Sequence, residues 1–314
     1  MASPRTNTSS ESTSKVPPII IPLCKISGIV RVTLLAIALG KGTKARVIFI
    51  KPPSTMWKSR ALKSLEERIK TFAADEVKFD KITVHHIPGN SDEEAQVASL
   101  ERIARANDFS TVLIPVEREV LMQEGPERKG IEWTKDLPNK RIILVHGSEK
   151  PVDMPLKRPI RVLIPIMHEL HKGPFEFAWA LNTNPIIPDV EVIAARVLEL
   201  PADSSQYSIY SQDSQSIGDE HLAFIKTNLS RDIQRIVHPL LLPVQHPGSE
   251  IVDFSKAREV DLIIMEGYWN SKGTGLLTQI EKDIVAKAGC TVVVIIDPQR
   301  EMKSKVDGPK KNKQ

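Results

Sequence analysis

The sequence predicts an α/β protein made of two tandem open parallel five-stranded sheets, each with helices on both faces. Three observations predict it. Short runs that are apolar at nearly every position recur at 19–23, 111–115, 261–265 and 291–296, as in strands buried on both sides. Segments with apolar residues at helical spacing separate these runs. The pattern then repeats: Pro22 and Pro165 are 143 residues apart, and Ile114 and Ile264, like Val145 and Ile295, are 150 apart.

In the first half, strands are expected at 19–23, 45–50, 81–87, 111–115 and 141–145. Helices are expected at 29–40, 57–74 and 91–107, with a short one at 131–137. Gly40 or Gly42 ends the first helix. The run Gly40-Lys41-Gly42-Thr43 lacks the GxxxxGK[ST] spacing of a phosphate loop and follows a helix rather than a strand. Leu62, Leu65, Ile69 and Phe72 form one stripe, and Ser91 with Glu94 has the capping-box spacing. In the second half, strands are expected at 161–165, 190–197, within 233–242, at 261–265 and at 291–296. Helices are expected at 175–181, 217–230, 248–258 and 276–288, with a polar loop at 202–215. The domains are then residues 16–147 and 160–298. Pro151, Pro155 and Pro159 mark the linker at 148–159 as an extended connection. The tails at 1–15 and 299–314 bury too little apolar area to offset their chain entropy and are expected to be disordered.

The chain has 314 residues, 41% hydrophobic and 26% charged, enough for two sizeable cores. Its formal net charge of +4 is the small difference between 43 basic and 39 acidic residues, and Lys303, Lys305, Lys310, Lys311 and Lys313 crowd into the C-terminal tail. A nucleic-acid partner needs basic residues gathered on a folded face, so none is expected. Cys24 and Cys290 form no CxxC spacing, which fits a reduced, cytoplasmic setting. Cys24 reads as a reactive thiol beside Lys25 or as a buried structural residue, and Cys290 reads as core. Residues 1–15 lack the apolar core of a secretory signal. The apolar stretch 19–39 is interrupted by Pro22, Lys25, Gly28 and Arg31, so no membrane span is expected.

Residues 259–265 (Glu-Val-Asp-Leu-Ile-Ile-Met) and 288–296 (Ala-Gly-Cys-Thr-Val-Val-Val-Ile-Ile), with Ile20-Ile21-Pro22-Leu23 and Leu163-Ile164-Pro165-Ile166, resemble the strands of the universal stress protein family. The resemblance covers about 19–146 and 160–297. It implies the adenine nucleotide alpha hydrolase-like fold, and pairing through last strands, which makes an internal pseudo-dimer and leaves room for further homodimerisation. It also implies a stress-response role with a protein partner. ATP-binding members carry an aspartate after the first strand, where this chain has Cys24 and Met167. They also wrap phosphates with glycine-rich backbone at the opening of the last helix.

In the first half the matching loop, 116–130, holds Glu117, Glu119, Glu124 and Glu127, which repel phosphate. The second half keeps a partial cradle. The resemblance makes Pro165, Met167, Gly267, Lys272, Gly273, Gly275 and Thr278 the candidate cofactor-binding residues, with ATP or AMP as candidate ligands. The plainer reading of Gly273 and Gly275 is a turn from strand to helix. His168 and His171, with His238 or His246, lack a third ligand at metal-binding spacing, so no metal is expected. His85 and His86, adjacent in a strand, point to opposite faces. No GxSxG, HExxH or carboxylate pair appears, so no catalytic residue is expected. The expected function is that of a non-catalytic regulatory protein of the stress-protein type. One alternative is a pure interaction module regulating a transporter or another cytosolic partner. A second is a slow ATP hydrolase using Lys272 and Gly273.

Overall fold

The computed structural model describes residues 16–22, 29–51, 82–86, 102–103, 109–122, 140–147, 158–167, 170–183, 189–200, 212–268 and 277–297. The expected helices at 57–74 and 131–137, and nearly all of that at 91–107, lie outside them, as do both tails.

The strands of the first half are β1 (Ile19–Pro22), β2 (Val47–Lys51), β3 (Ile82–His86), β4 (Thr111–Pro115) and β5 (Arg141–His146). Helix α1 (Ile29–Thr43) follows β1, and α2 (Arg118–Met122) follows β4. The second half runs β6 (Ile160–Ile166), α3 (Gly173–Asn182), β7 (Val190–Glu199), α4 (Gln212–Asn228), α5 (Arg231–Ile236) and β8 (Val237–Val244). It ends with α6 (Pro247–Ala257), β9 (Leu262–Glu266), α7 (Gln279–Lys287) and β10 (Thr291–Ile296).

The expectation of two separate sheets is corrected. The ten strands form one sheet in the order β3-β2-β1-β4-β5-β10-β9-β6-β7-β8. Each half contributes its strands in the same order from outer edge to centre: third, second, first, fourth, fifth. The seam is β5 against β10, paired antiparallel, while every other neighbouring pair is parallel. The physical reason lies in β10. Its sequence TVVVII is buried at all six positions and has none of the charge or proline that guards an open edge.

The register places a pseudo-two-fold axis at the seam. Leu144 pairs with Val294, and these are 150 positions apart, the offset the sequence shows for Val145 and Ile295. Around this axis α1 packs on α3 and α2 packs on α7. Each helix thus meets its counterpart, as in a self-complementary interface. Arg141 ties the halves together: its Nε donates to Asp297 Oδ1 at 2.6 Å, and its Nη2 lies 3.4 Å from Glu176 Oε2. Burial pulls the Arg141 pKa down, but the charges and hydrogen bonds of Asp297 and Glu176 outweigh it, and the net shift is upward.

The strands are apolar throughout because they feed two cores. On β10, Val293 and Ile295 belong to one cluster with residues of α1, α3 and α4. Val292, Val294 and Ile296 belong to the other, with residues of α2, α6 and α7. This is the period-two alternation of a strand applied to a sheet covered on both faces.

Several expected boundaries are corrected. Helix α1 does not stop at Gly40 or Gly42; it continues to Thr43, and Lys44 follows at φ 58°. A Cβ at Gly42 would collide with the carbonyl oxygen of Ala180 on α3, so this glycine permits a close helix crossing rather than a stop. Residues 118–122, read as acidic loop, form α2. Residues 212–215, read as polar loop, begin α4, and 201–211 lie outside the described residues. Helix α3 starts at Gly173, with Pro174 in the first turn where its missing N–H costs nothing. No helix among the described residues is long and apolar enough to cross a membrane.

Candidate functional site

The site arises where β6 parts from β9. The two strands pair at Val162–Leu262 and Leu163–Ile263, while β6 stays paired with β7 as far as Ile166. Pro165 has no N–H to extend a ladder. Pro22 has the same relation in the first half: β1 pairs with β4 only at Ile19 and Ile20, yet with β2 as far as Pro22. Beyond Leu163 the second-half strands therefore diverge at the point where the chain winds in opposite directions from the first strand. Open α/β sheets bind ligands at such points, beyond the carboxyl ends of the strands.

A small cleft, open at its mouth and with little enclosed space, occupies this place. Its apolar wall includes Met167, Pro174 and Phe175. Its polar groups are His171, Glu266, Tyr268 and Glu281. Glu266, at the end of β9, receives the Tyr268 hydroxyl at 3.5 Å, and His171 Nε2 lies 3.7 Å from the same Oε2.

Glu281 enters from the first turn of α7. Thr278 is the N-cap, accepting a hydrogen bond from the Glu281 N–H at 3.4 Å. The Glu281 carboxyl reaches back and accepts from the Thr278 N–H at 2.6 Å. This capping box satisfies donors that the helix end leaves open. Glu281 is only 2% exposed. Burial raises its pKa from the ordinary carboxyl range to about 7, although the Thr278 hydrogen bonds work in the opposite direction.

The candidate residues separate into three groups. Pro165 and Met167 line the cleft. Thr278 stands behind it as the cap of α7. Gly267 is buried at the end of β9, and its N–H donates to Ile295 O at 2.8 Å, so that amide is already committed within the sheet. Lys272, Gly273 and Gly275 lie outside the described residues, as do Cys24 and His168. His238 lies on edge strand β8 and His246 caps α6, and both are exposed. Among the described residues no three His, Cys, Asp or Glu side chains gather to hold a metal ion. Cys290 packs, half-buried, against the second core. The sequence reading missed Glu266, Tyr268 and Glu281. The Thr-x-x-Glu pattern at 278–281 was the available signal for Glu281.

The fold and cleft define a class: a doubly wound α/β protein with a cleft at a strand-order switch. No protein-family model matches the chain, and no curated protein does. Solved structures are similar over nearly the whole length. A functionally unknown protein from Pseudomonas aeruginosa PAO1 is 10% identical, with 90% of this chain and 93% of that one covered and a TM-score of 0.49. The cytoplasmic domain of a prokaryotic cation chloride cotransporter is 12% identical, with 91% and 97% covered and a TM-score of 0.49. A universal stress protein from Archaeoglobus fulgidus DSM 4304 is 12% identical, with 88% and 95% covered and a TM-score of 0.40.

Proposed function

We propose that this chain is a non-catalytic regulatory protein of the universal stress protein type, whose second-half cleft takes a small molecule other than a nucleotide. The strand motifs at 20–23, 163–166, 259–265 and 288–296 support the family reading, together with the antiparallel meeting of the two last strands. The observation that carries the ligand reading is the capping box of α7. A phosphate at a helix start is held by free backbone N–H groups and the positive end of the helix dipole. Here the Glu281 carboxyl occupies that position, bonded to the Thr278 N–H. Glu266 adds a second acidic group to the same cleft. The strongly shifted acid is thus committed to a cap rather than to proton transfer. A bound small molecule would act through a cytoplasmic protein partner.

Equilibrium dialysis with labelled ATP and AMP at millimolar concentration tests the reading, alongside a phosphate-release assay. Neither retention nor turnover is expected. Saturable retention of either nucleotide, or ATP turnover above buffer, overturns it.

A further inference from the structure

We propose that helix α4 is a pH-operated flap, released from β7 when His221 takes up a proton while the rest of the sheet stays paired. This is independent of the cleft and of whatever occupies it. The case begins with how lightly α4 is held. The helix has 17 residues, yet of those whose side chains are described, 215–228, only His221 and Ile225 are buried. Ile217, Gly218 and Phe224 are half-buried, and the other positions are exposed. Leu229, just beyond the helix end, adds one more buried side chain. Helix α3, with ten residues, buries seven of them. Elements with few buried apolar contacts open locally, without global unfolding. Of the two side chains that α4 buries, one is an imidazole, whose charge changes near neutral pH.

His221 is 1% exposed. Its Nε2 bonds to Ala194 O at 3.0 Å, and its Nδ1 is buried without a hydrogen-bond partner. A proton added at Nδ1 becomes a donor with no acceptor, and a charge in an apolar site. Among the described residues no carboxylate is paired with the ring. On β7, Arg196 shares the face of Ala194 and bears on the ring with like charge. Glu191 and Glu199 lie on the opposite face of that strand. Glu220, next to His221 on α4, acts on Arg196. On β8, Leu241 lies against Gly218 of α4, and His238 is on the other face and exposed. Helix α3 meets α4 through Phe175 and Phe224, whose ring centroids are 6.4 Å apart, and its Lys172 and Glu176 are exposed. Asp219 and Lys226 of α4 are exposed as well, as are Arg231, Asp232 and Arg235 of α5. The closed helix therefore resists the proton and the open helix accepts it, so acid favours opening.

Native-state hydrogen exchange of the full chain tests this. It is read amide by amide over a urea series at about pH 7.5 and about pH 5.5, corrected for intrinsic rates. The α4 amides are expected to exchange faster than those of β10 and with little dependence on urea, the mark of local opening. Their protection is expected to fall roughly tenfold between the two pH values, since an exposed imidazole titrates near 6.5 and the buried one resists protonation. His221→Gln is expected to abolish that fall. Equal protection and equal urea slopes for α4 and β10 would make the opening global and overturn the flap. Unchanged α4 protection, or a fall that persists in His221→Gln, overturns the role of His221. If the variant does not fold, the His221 ring signal in wild-type NMR takes its place. A titration midpoint well below the ordinary value supports the flap, and a midpoint at that value overturns it.

Discussion

Gly42 on α1 lies directly against the carbonyl of Ala180 on α3, and a Cβ at Gly42 would also crowd the Thr183 hydroxyl. The two helices belong to opposite halves of the chain. Their approach is limited by backbone, which cannot yield as a flexible side chain can.

Gly42→Ala therefore has opposing effects. Alanine in place of glycine within a helix ordinarily gains about 0.5–1 kcal/mol. Overpacking against a carbonyl costs about 1–3 kcal/mol. A net loss is expected, read as a fall of several degrees in melting temperature. An increase would show that the α1–α3 crossing is not tight.

Glu259 offers the reverse case. It sits at φ 51° after α6. Its N–H donates to Lys256 O at 3.1 Å, and the Val260 N–H donates to Ser255 O at 2.8 Å. This is the Schellman ending, in which glycine is the usual residue. Glu259→Gly sacrifices an exposed ion pair with Arg161 at 3.4 Å, worth a few tenths of a kcal/mol. It relieves left-handed strain worth roughly 1–2 kcal/mol. A net gain of about 1 kcal/mol in urea unfolding is the expected result, and a loss would mean the ion pair dominates.

Glu281 makes stability depend on pH. Its pKa is about 7 in the folded chain and ordinary when unfolded, so the folded state holds the proton more tightly between these values. Its contribution is fully present below the unfolded pKa and is lost as pH rises through about 7. Glu281→Gln removes the titration and keeps an acceptor for the Thr278 N–H. The variant is expected to gain on wild type as pH rises, by on the order of 3 kcal/mol at the upper plateau. Parallel unfolding curves at all pH values would contradict the buried, neutral carboxyl.

His221 has the opposite sign. It is 1% exposed, and its Nε2–H donates to Ala194 O at 3.0 Å. Nδ1 is buried without a hydrogen-bond partner. Burial depresses its pKa, with Arg196 adding to the effect and the Ala194 bond opposing it. The unfolded chain takes up the proton first, so this contribution is present above the unfolded pKa and is lost as pH falls below about 6.5. Unfolding measured between about pH 7.5 and pH 5.5 should show wild type losing stability faster than His221→Gln. An identical slope for the two proteins would mean that His221 titrates normally.

The strands were legible because two-sided burial writes itself into sequence as unbroken apolar runs, and β4 and β10 lie where those runs predict. The repeat offset was nearly right as well. The register matches Pro22 with Pro165 as expected, but it matches Ile114 with Met265 rather than Ile264, one position away. Two separate sheets were expected where one forms; the implied pairing through last strands pointed toward the β5–β10 seam, and β10 carried a further clue in having no guarded position. Gly42 could not be distinguished from a helix stop, because a glycine that admits a neighbour and a glycine that ends a helix look alike until the neighbour is known. The cleft was half legible. Pro165 and Met167, singled out at the end of the expected strand 161–165 and just beyond it, line the cleft. Glu266 and Tyr268 depend on where β9 ends relative to β6, which only the pairing reveals.

The β5–β10 seam also limits what this molecule can assemble into. The last strand of each half is here already joined to its counterpart within one polypeptide. Lateral growth of the sheet is left to β3 and β8, and β8 carries Pro239 and Pro243 along its rim, which blunt strand addition. Addition of a further strand is thereby left to the β3 edge, whose sequence ITVHH carries no proline.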